Sequence, residues 1–377
     1  MIRSRRQFIL GSGAAALALS ILPRDGSACS RSETHKFGFM IDAMNLVTLS
    51  DVGFEDIDRS QLGMVQLTVG TGMGEPGEPA YTYEAALHDI AKWQGGIARY
   101  PDRLIQIRNA EDIDRADREC KFGIMLGFQN GTHFERDIRN VQFFFDLGIR
   151  QVQLTYNQLN ALGAGCTEAV DPGLSIFGRQ VVQEMNRLGI VVDLSHCGTR
   201  TTLEGIEAST RPVVFSHTNC GALNDNPRCK SDLEIKRLAE TGGVMGLTVF
   251  DFYVTSKPVG TLDDFMAHID HVVDLVGIDH VGIGSDLLIE GMGDVFPTEE
   301  SYIERLKTVS NFPLAPGERW PMVAKELDRP EKSLVIGEQL AKRGYEKSDI
   351  DKVLGGNFRR IYSDILGGPN ESEPTTG

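Results

Sequence analysis

The chain has 377 residues, a formal charge of −15 and a pI near 5.0. That length accommodates one large α/β domain or two smaller ones, each with a sizeable core. The acidity argues against a nucleic-acid partner, because a phosphate backbone selects for clustered Lys and Arg, and leaves small-molecule chemistry as the better expectation.

In chain order, the first segment is "SRRQFILGSGAAALALSIL", an Arg5-Arg6 pair ahead of an apolar stretch too short and too rich in Gly and Ala for a comfortable membrane span. Residues 1–28 are predicted as a twin-arginine export signal, cleaved after Ala28, which places the mature chain in the periplasm. Cys29 is an alternative lipid-anchor site, although Gly26 stands where such a site wants Leu. Six cysteines, at 29, 120, 166, 197, 220 and 229, show no C-x-x-C pair; Cys220 and Cys229 lie closest in sequence, and spacing fixes no connectivity.

Eight short apolar runs follow. Strands are predicted over 37–45, 64–71, 122–130, 149–157, 190–196, 212–218, 243–250 and 280–287. Amphipathic stretches such as "FGRQVVQEMNRLG" and "LDDFMAHIDHVVDLVG" separate them, with apolar residues at three and four spacing. This alternation predicts parallel pairing and a (β/α)8 TIM barrel over residues 29–366. A doubly wound sheet is the alternative, and the absence of G-x-G-x-x-G after the first strand counts against it. Residues 288–330, rich in Pro and Gly, read as a long loop and a lid, and the tail from Gly367 as disordered.

Barrel chemistry gathers at the carboxyl ends of the strands. Those ends carry Asp42, Gln129, Tyr156, Asn157, His196, His217 and Asp286. His196 in "VVDLSH" and His217 in "PVVFSH" close neighbouring strands and face one mouth. Two neutral imidazoles with a carboxylate suit a catalytic zinc that keeps an open water position, with Asp286 as ligand or proton acceptor. His133 and Cys197 are lesser candidates, read more readily as structural, and Asp42 is at least as readily a buried carboxylate at the barrel floor as a site residue.

The blocks "LTYNQLNALGAGC", "GLSIFGRQVVQEMNRLGIVVDLSH", "RPVVFSHTNCGALNDNPR", "GVMGLTVF" and "VGIDHVGIGSDL", closed by "GGNFRRIY", resemble in order those of the membrane dipeptidase (renal dipeptidase, peptidase M19) family of the amidohydrolase superfamily. The resemblance implies a metallo-dependent hydrolase barrel with two zinc ions and a dipeptide substrate. His196 and His217 match the histidines of one zinc and Asp286 the ligand of the other, while Arg228 in "NPR" matches the residue that binds the substrate carboxylate. Tyr156 falls where many members have a His that polarises the carbonyl, and Asn157 beside it is a second substrate-binding candidate with Arg228.

The sequence also departs from that family. "DAMNL" puts Met44 and Leu46 where the first zinc's His and Asp belong, and Gln129 replaces the bridging Glu. The expectation is therefore one zinc, held by His196, His217 and Gln129 with Asp286 as base, in an enzyme for a carboxylate-bearing substrate such as a dipeptide. A catalytically silent binding protein and a hydrolase of a non-peptide substrate are the alternatives. A homodimer is open to such a chain.

Overall fold

The computed structural model describes residues 35–71, 81–308 and 320–368. The predicted export signal, Cys29 and the tail beyond Gly368 lie outside the described residues.

Eight parallel strands form the barrel: β1 Met40–Asp42, β2 Leu62–Thr68, β3 Phe122–Phe128, β4 Ile149–Gln153, β5 Val191–Asp193, β6 Val214–Thr218, β7 Val244–Leu247 and β8 Val281–Ile283. They pair in that order around the sheet. The N–H of Ala43 donates to the carbonyl of Ile283 at 2.9 Å, drawing β1 towards β8 and closing the ring. All eight fall on runs predicted as strands. A further short strand, Leu104–Gln106, pairs with β3 and was not anticipated.

The strands are buried on both faces, and their near-continuous apolar runs answer that demand. Helices between them cover the outside. Several start as the sequence prescribes: Ser175 caps Ile176–Leu188 by accepting from the Gly178 N–H, and Ser231 with Glu234 closes a capping box on Asp232–Glu240.

The amino end of the barrel is plugged by the helix Asn357–Leu366, whose Phe358, Ile361, Tyr362 and Ile365 pack with Ile41, Met64, Val191, Val214 and Val244. Successive inward positions along a strand are two residues apart. Asp193 and Ser216 therefore form the layer above Val191 and Val214, and the histidines stand above them.

The described parts of the segment 288–330 differ from the expected loop. Helices occupy Met292–Val295 and Glu299–Thr308, and the returning chain pairs Val323 with Phe250, just past β7. Asp328 orders the first of these turns by accepting from the N–H groups of Met292 and Gly293. Cys120 is disulfide-bonded, whereas Cys220 and Cys229, the closest pair in sequence, are free thiols, as are Cys166 and Cys197.

Candidate metal centre

At the carboxyl end of the ring His196 and His217 meet, with their Nε2 atoms 2.9 Å apart. Backbone geometry brings them there. The β6–β7 register shifts between Phe215 and Thr218, so that Ser216 and His217 together oppose Gly246. Such a bulge re-aims a side chain that strict alternation would send outward. His196 follows three residues after β5, beside Ser195, whose Oγ lies 3.1 Å from Ser216 Oγ.

The outer nitrogen of each ring is also engaged. His196 Nδ1 meets the side-chain oxygen of Asn157 at 2.7 Å, and His217 Nδ1 meets Ser216 Oγ at 2.7 Å. If both Nδ1 atoms donate, two Nε2 lone pairs face each other, which is repulsive unless a cation lies between them. Burial pushes the pKa of both imidazoles well below the ordinary value, and the Arg228 guanidinium pushes in the same direction. Both rings are accordingly neutral at neutral pH, the form in which imidazole can bind a metal.

The third neighbour is Gln129, just past β3, whose amide nitrogen lies 3.5 Å from His217 Nε2 and 3.4 Å from the Met44 sulfur. Met44 is buried at the end of β1. Among the described residues no three His, Cys, Asp and Glu side chains form a group that could hold a metal ion. The donors that converge are thus two imidazoles and an amide. The strand-one positions offer a thioether and an alkyl group, and the position for a bridging carboxylate offers a neutral amide, so these places supply no anionic donor.

Asp286, three residues after β8, is half-buried and takes the left-handed conformation with φ 61°. Its N–H donates to the Met44 carbonyl at 2.8 Å. Burial, with a smaller contribution from the Asp286 charge, raises the pKa of the Tyr81 and Tyr253 hydroxyls, which places Asp286 at the same mouth; among the described residues it forms no metal-holding group with the two histidines. Tyr156 stacks on His196, with ring centroids 4.2 Å apart and planes 23° from parallel.

Arg228 is buried, and its Nη atoms donate to the carbonyls of Ser195 at 2.7 Å and His217 at 2.5 Å. Its Nε is buried and has no bonding partner among the described residues. Asn157, a substrate-binding candidate from the sequence, has its side-chain oxygen on His196 Nδ1.

The lesser candidates are structural. His133 lies between the carbonyls of Asn130 and Gly70, at 2.8 and 3.1 Å, and stacks on Phe128. Burial raises the Cys197 thiol to about 11, and its sulfur accepts from Thr155 Oγ1. Asp42 accepts from the N–H and hydroxyl of Ser285 at 2.8 and 2.5 Å and from the Asn45 amide at 2.9 Å, a clamp between the ends of β1 and β8.

A ring of eight parallel strands presenting imidazoles at its carboxyl ends defines an amidohydrolase-type (β/α)8 barrel. The family model for membrane dipeptidase (peptidase family M19) matches residues 35–306, and the chain belongs to that family. A crystal structure of an amidohydrolase from Pseudomonas aeruginosa superposes with a TM-score of 0.76 at 32% identity, over 90% of this chain and 100% of that one. An uncharacterized dipeptidase of Schizosaccharomyces pombe is 32% identical over 271 residues, 65% of each chain. The dipeptidase verJ of Clonostachys rogersoniana is 30% identical over 277 residues, 71% of this chain and 62% of its own. The match spans less than two thirds of these curated relatives.

Asp193 and Ser216 carry no role in the sequence reading, although both stand in quoted motifs. The signal was the repeated Ser-His, preceded in the first copy by Asp, in "VVDLSH" and "VFSH".

Proposed function

We propose that this chain is a zinc-dependent hydrolase that cleaves a dipeptide or related amide at a single-metal site. One observation carries the reading: two imidazoles, each with Nδ1 engaged, aim their Nε2 atoms at one point from 2.9 Å apart. Dipeptidase names among the relatives support the substrate class. The export signal over 1–28 belongs to the same proposal, and so does a single barrel domain over 29–366.

His196 and His217 would hold the ion, and Gln129 would join them by turning its amide so that oxygen replaces nitrogen. Zinc at that place supplies Lewis acidity and acidifies water towards neutrality. Asp286 takes the proton from the attacking water and returns it to the leaving amine. Tyr156 keeps its ring on His196 and directs its hydroxyl at the reacting carbonyl oxygen. Arg228 anchors both histidine-bearing strand ends while its charge and its unbonded Nε attract a terminal carboxylate.

One observation favours a second reading, a binding protein without catalysis. The Gln129 amide nitrogen caps His217 Nε2 and the Met44 sulfur together, which stabilises a metal-free pocket. Metal analysis and dipeptide hydrolysis on the purified chain separate the two. About one zinc per chain, with hydrolysis abolished by His217→Ala, is the expected result. Substoichiometric metal in the unaltered protein, or turnover that survives His217→Ala, overturns the catalytic reading.

A further inference from the structure

Beneath the histidines lies a buried carboxylate that the catalytic reading does not use. Asp193 closes β5 at 1% exposure. Its Oδ1 accepts from the Ser195 hydroxyl at 2.6 Å and from the N–H groups of Ser195 and Ser216 at 3.0 and 3.2 Å. Its Oδ2 accepts from the Ser216 hydroxyl in a very short contact and from the Gln151 amide at 3.2 Å. Gln151 in turn accepts from the Tyr362 hydroxyl at 3.0 Å, so the chain of bonds begins on the helix that plugs the barrel.

Hydrogen counting gives the consequence. A serine hydroxyl has one proton. Ser216 Oγ has three polar side-chain neighbours: Asp193 Oδ2, His217 Nδ1 at 2.7 Å and Ser195 Oγ at 3.1 Å. The Ser195 proton goes to Asp193 Oδ1 at 2.6 Å. An ionised carboxylate can only accept, so the Ser216 hydroxyl is the donor in its bond to Asp193 Oδ2. The Ser216 proton therefore points at Asp193, and Ser216 accepts from His217. His217 must then carry its proton on Nδ1, which leaves Nε2 as a lone pair.

We propose that Asp193, acting through Ser216, is the positioning carboxylate of this centre: it fixes the tautomer of His217 and aims its Nε2 at the metal position. This rests on the proposed function, since a fixed lone pair serves only if something is bound there. Carboxylates that hold a metal-ligating His through its other nitrogen commonly raise metal affinity 10–100-fold. Here a serine stands between the two, and the same carboxylate also reaches β4 through Gln151. Ser195 shares Asp193 but touches no imidazole nitrogen, so it serves as the internal control.

The test uses the full chain with Ser216→Ala, Ser216→Thr, Ser195→Ala and Asp193→Asn, read by two measurements. Imidazole nitrogen-15 shifts report which nitrogen of His217 is protonated, with and without zinc. Competition against a chelator reports zinc affinity. In the unaltered chain Nδ1 is protonated in both states. Ser216→Ala loses that signature and binds zinc about 10–100-fold more weakly. Ser216→Thr recovers most of both, and Ser195→Ala keeps the His217 shift. Asp193→Asn is read only if it folds, and Ser216→Ala decides the matter without it. Unaltered shifts and affinity in Ser216→Ala overturn the proposal. If the unaltered chain takes up no zinc, the catalytic reading fails, and the shifts alone still decide whether the relay exists.

Discussion

Asp42 and Gln129 are both strand-end polar residues, yet their surroundings give them opposite consequences. Asp42 is fully buried, and burial raises its pKa while the bonds from Ser285 and Asn45 oppose that rise. Removing the carboxylate takes the acceptor from the Ser285 and Met44 N–H groups inside the barrel and leaves the Asn45 amide only the Ser285 hydroxyl. Each stranded donor costs about 1–3 kcal/mol, so Asp42→Ala is expected to lose about 2–4 kcal/mol of unfolding free energy in urea titrations. A loss below about 1 kcal/mol would mean that the clamp between β1 and β8 is not structural. Gln129 faces the histidines instead, where charge rather than packing is lacking. Gln129→Glu puts a carboxylate about 3.5 Å from His217 Nε2 and is expected to raise zinc affinity by at least tenfold, measured by chelator competition. Affinity that is unchanged or lower would place the ion away from β3.

The β6 bulge sets the requirement at the scale of elements. A Cβ on Gly246 would stand 2.0 Å from the Ser216 carbonyl oxygen, and one on Gly284 would stand 1.8 Å from the same atom. Two neighbouring stretches of backbone therefore press on the residue that turns His217 inward. Backbone cannot yield as a side-chain tip can, so Gly246→Ala or Gly284→Ala must displace β6, β7 or the turn after β8. Each is expected to lose zinc binding and at least about 2 kcal/mol of stability, a cost in the range of overpacked cores. A Gly284→Ala chain that binds zinc normally would show that the bulge has slack. The bulge is also a feature that the amino-acid pattern does not encode legibly. Alternation located β6 at 212–218, but no side-chain pattern shows that two residues there oppose a single glycine. Strand β5 is likewise shorter than its apolar run: it stops at Asp193, where side-chain bonds from Ser195 and Ser216 take over from the ladder. The site was legible as residue types at strand ends, because β-branched runs and flanking helices fix those ends. The bonds beneath it were not, because the network is closed by residues distant in the chain, as Gln151 to Asp193 and Tyr362 to Gln151 are, and no spacing pattern announces such pairs.

For the whole molecule, buried histidines set how stability responds to acid. His133, His196, His217 and His268 are all essentially removed from solvent, and burial lowers the pKa of each. His268 is pushed down to about 4; it accepts from the Cys220 N–H at Nδ1, and its Nε2 meets the Val254 carbonyl. A depressed histidine refuses a proton that the unfolded chain accepts. Stability is therefore complete above the ordinary imidazole range near pH 6.5, falls as the pH drops below it, and for His268 levels off near pH 4. Across that window His268 alone accounts for roughly 3 kcal/mol, and the other three add to it in the same direction. Urea midpoints of the chelator-treated chain should thus fall steadily between pH 7 and pH 5. Chelation matters because zinc release would otherwise add its own pH dependence. His268→Gln should flatten the slope while lowering stability at pH 7, since the amide does not titrate. A midpoint constant from pH 7 to pH 5 would mean that these rings reach solvent, and the neutral imidazole pair on which the proposed metal centre depends would lose its physical basis.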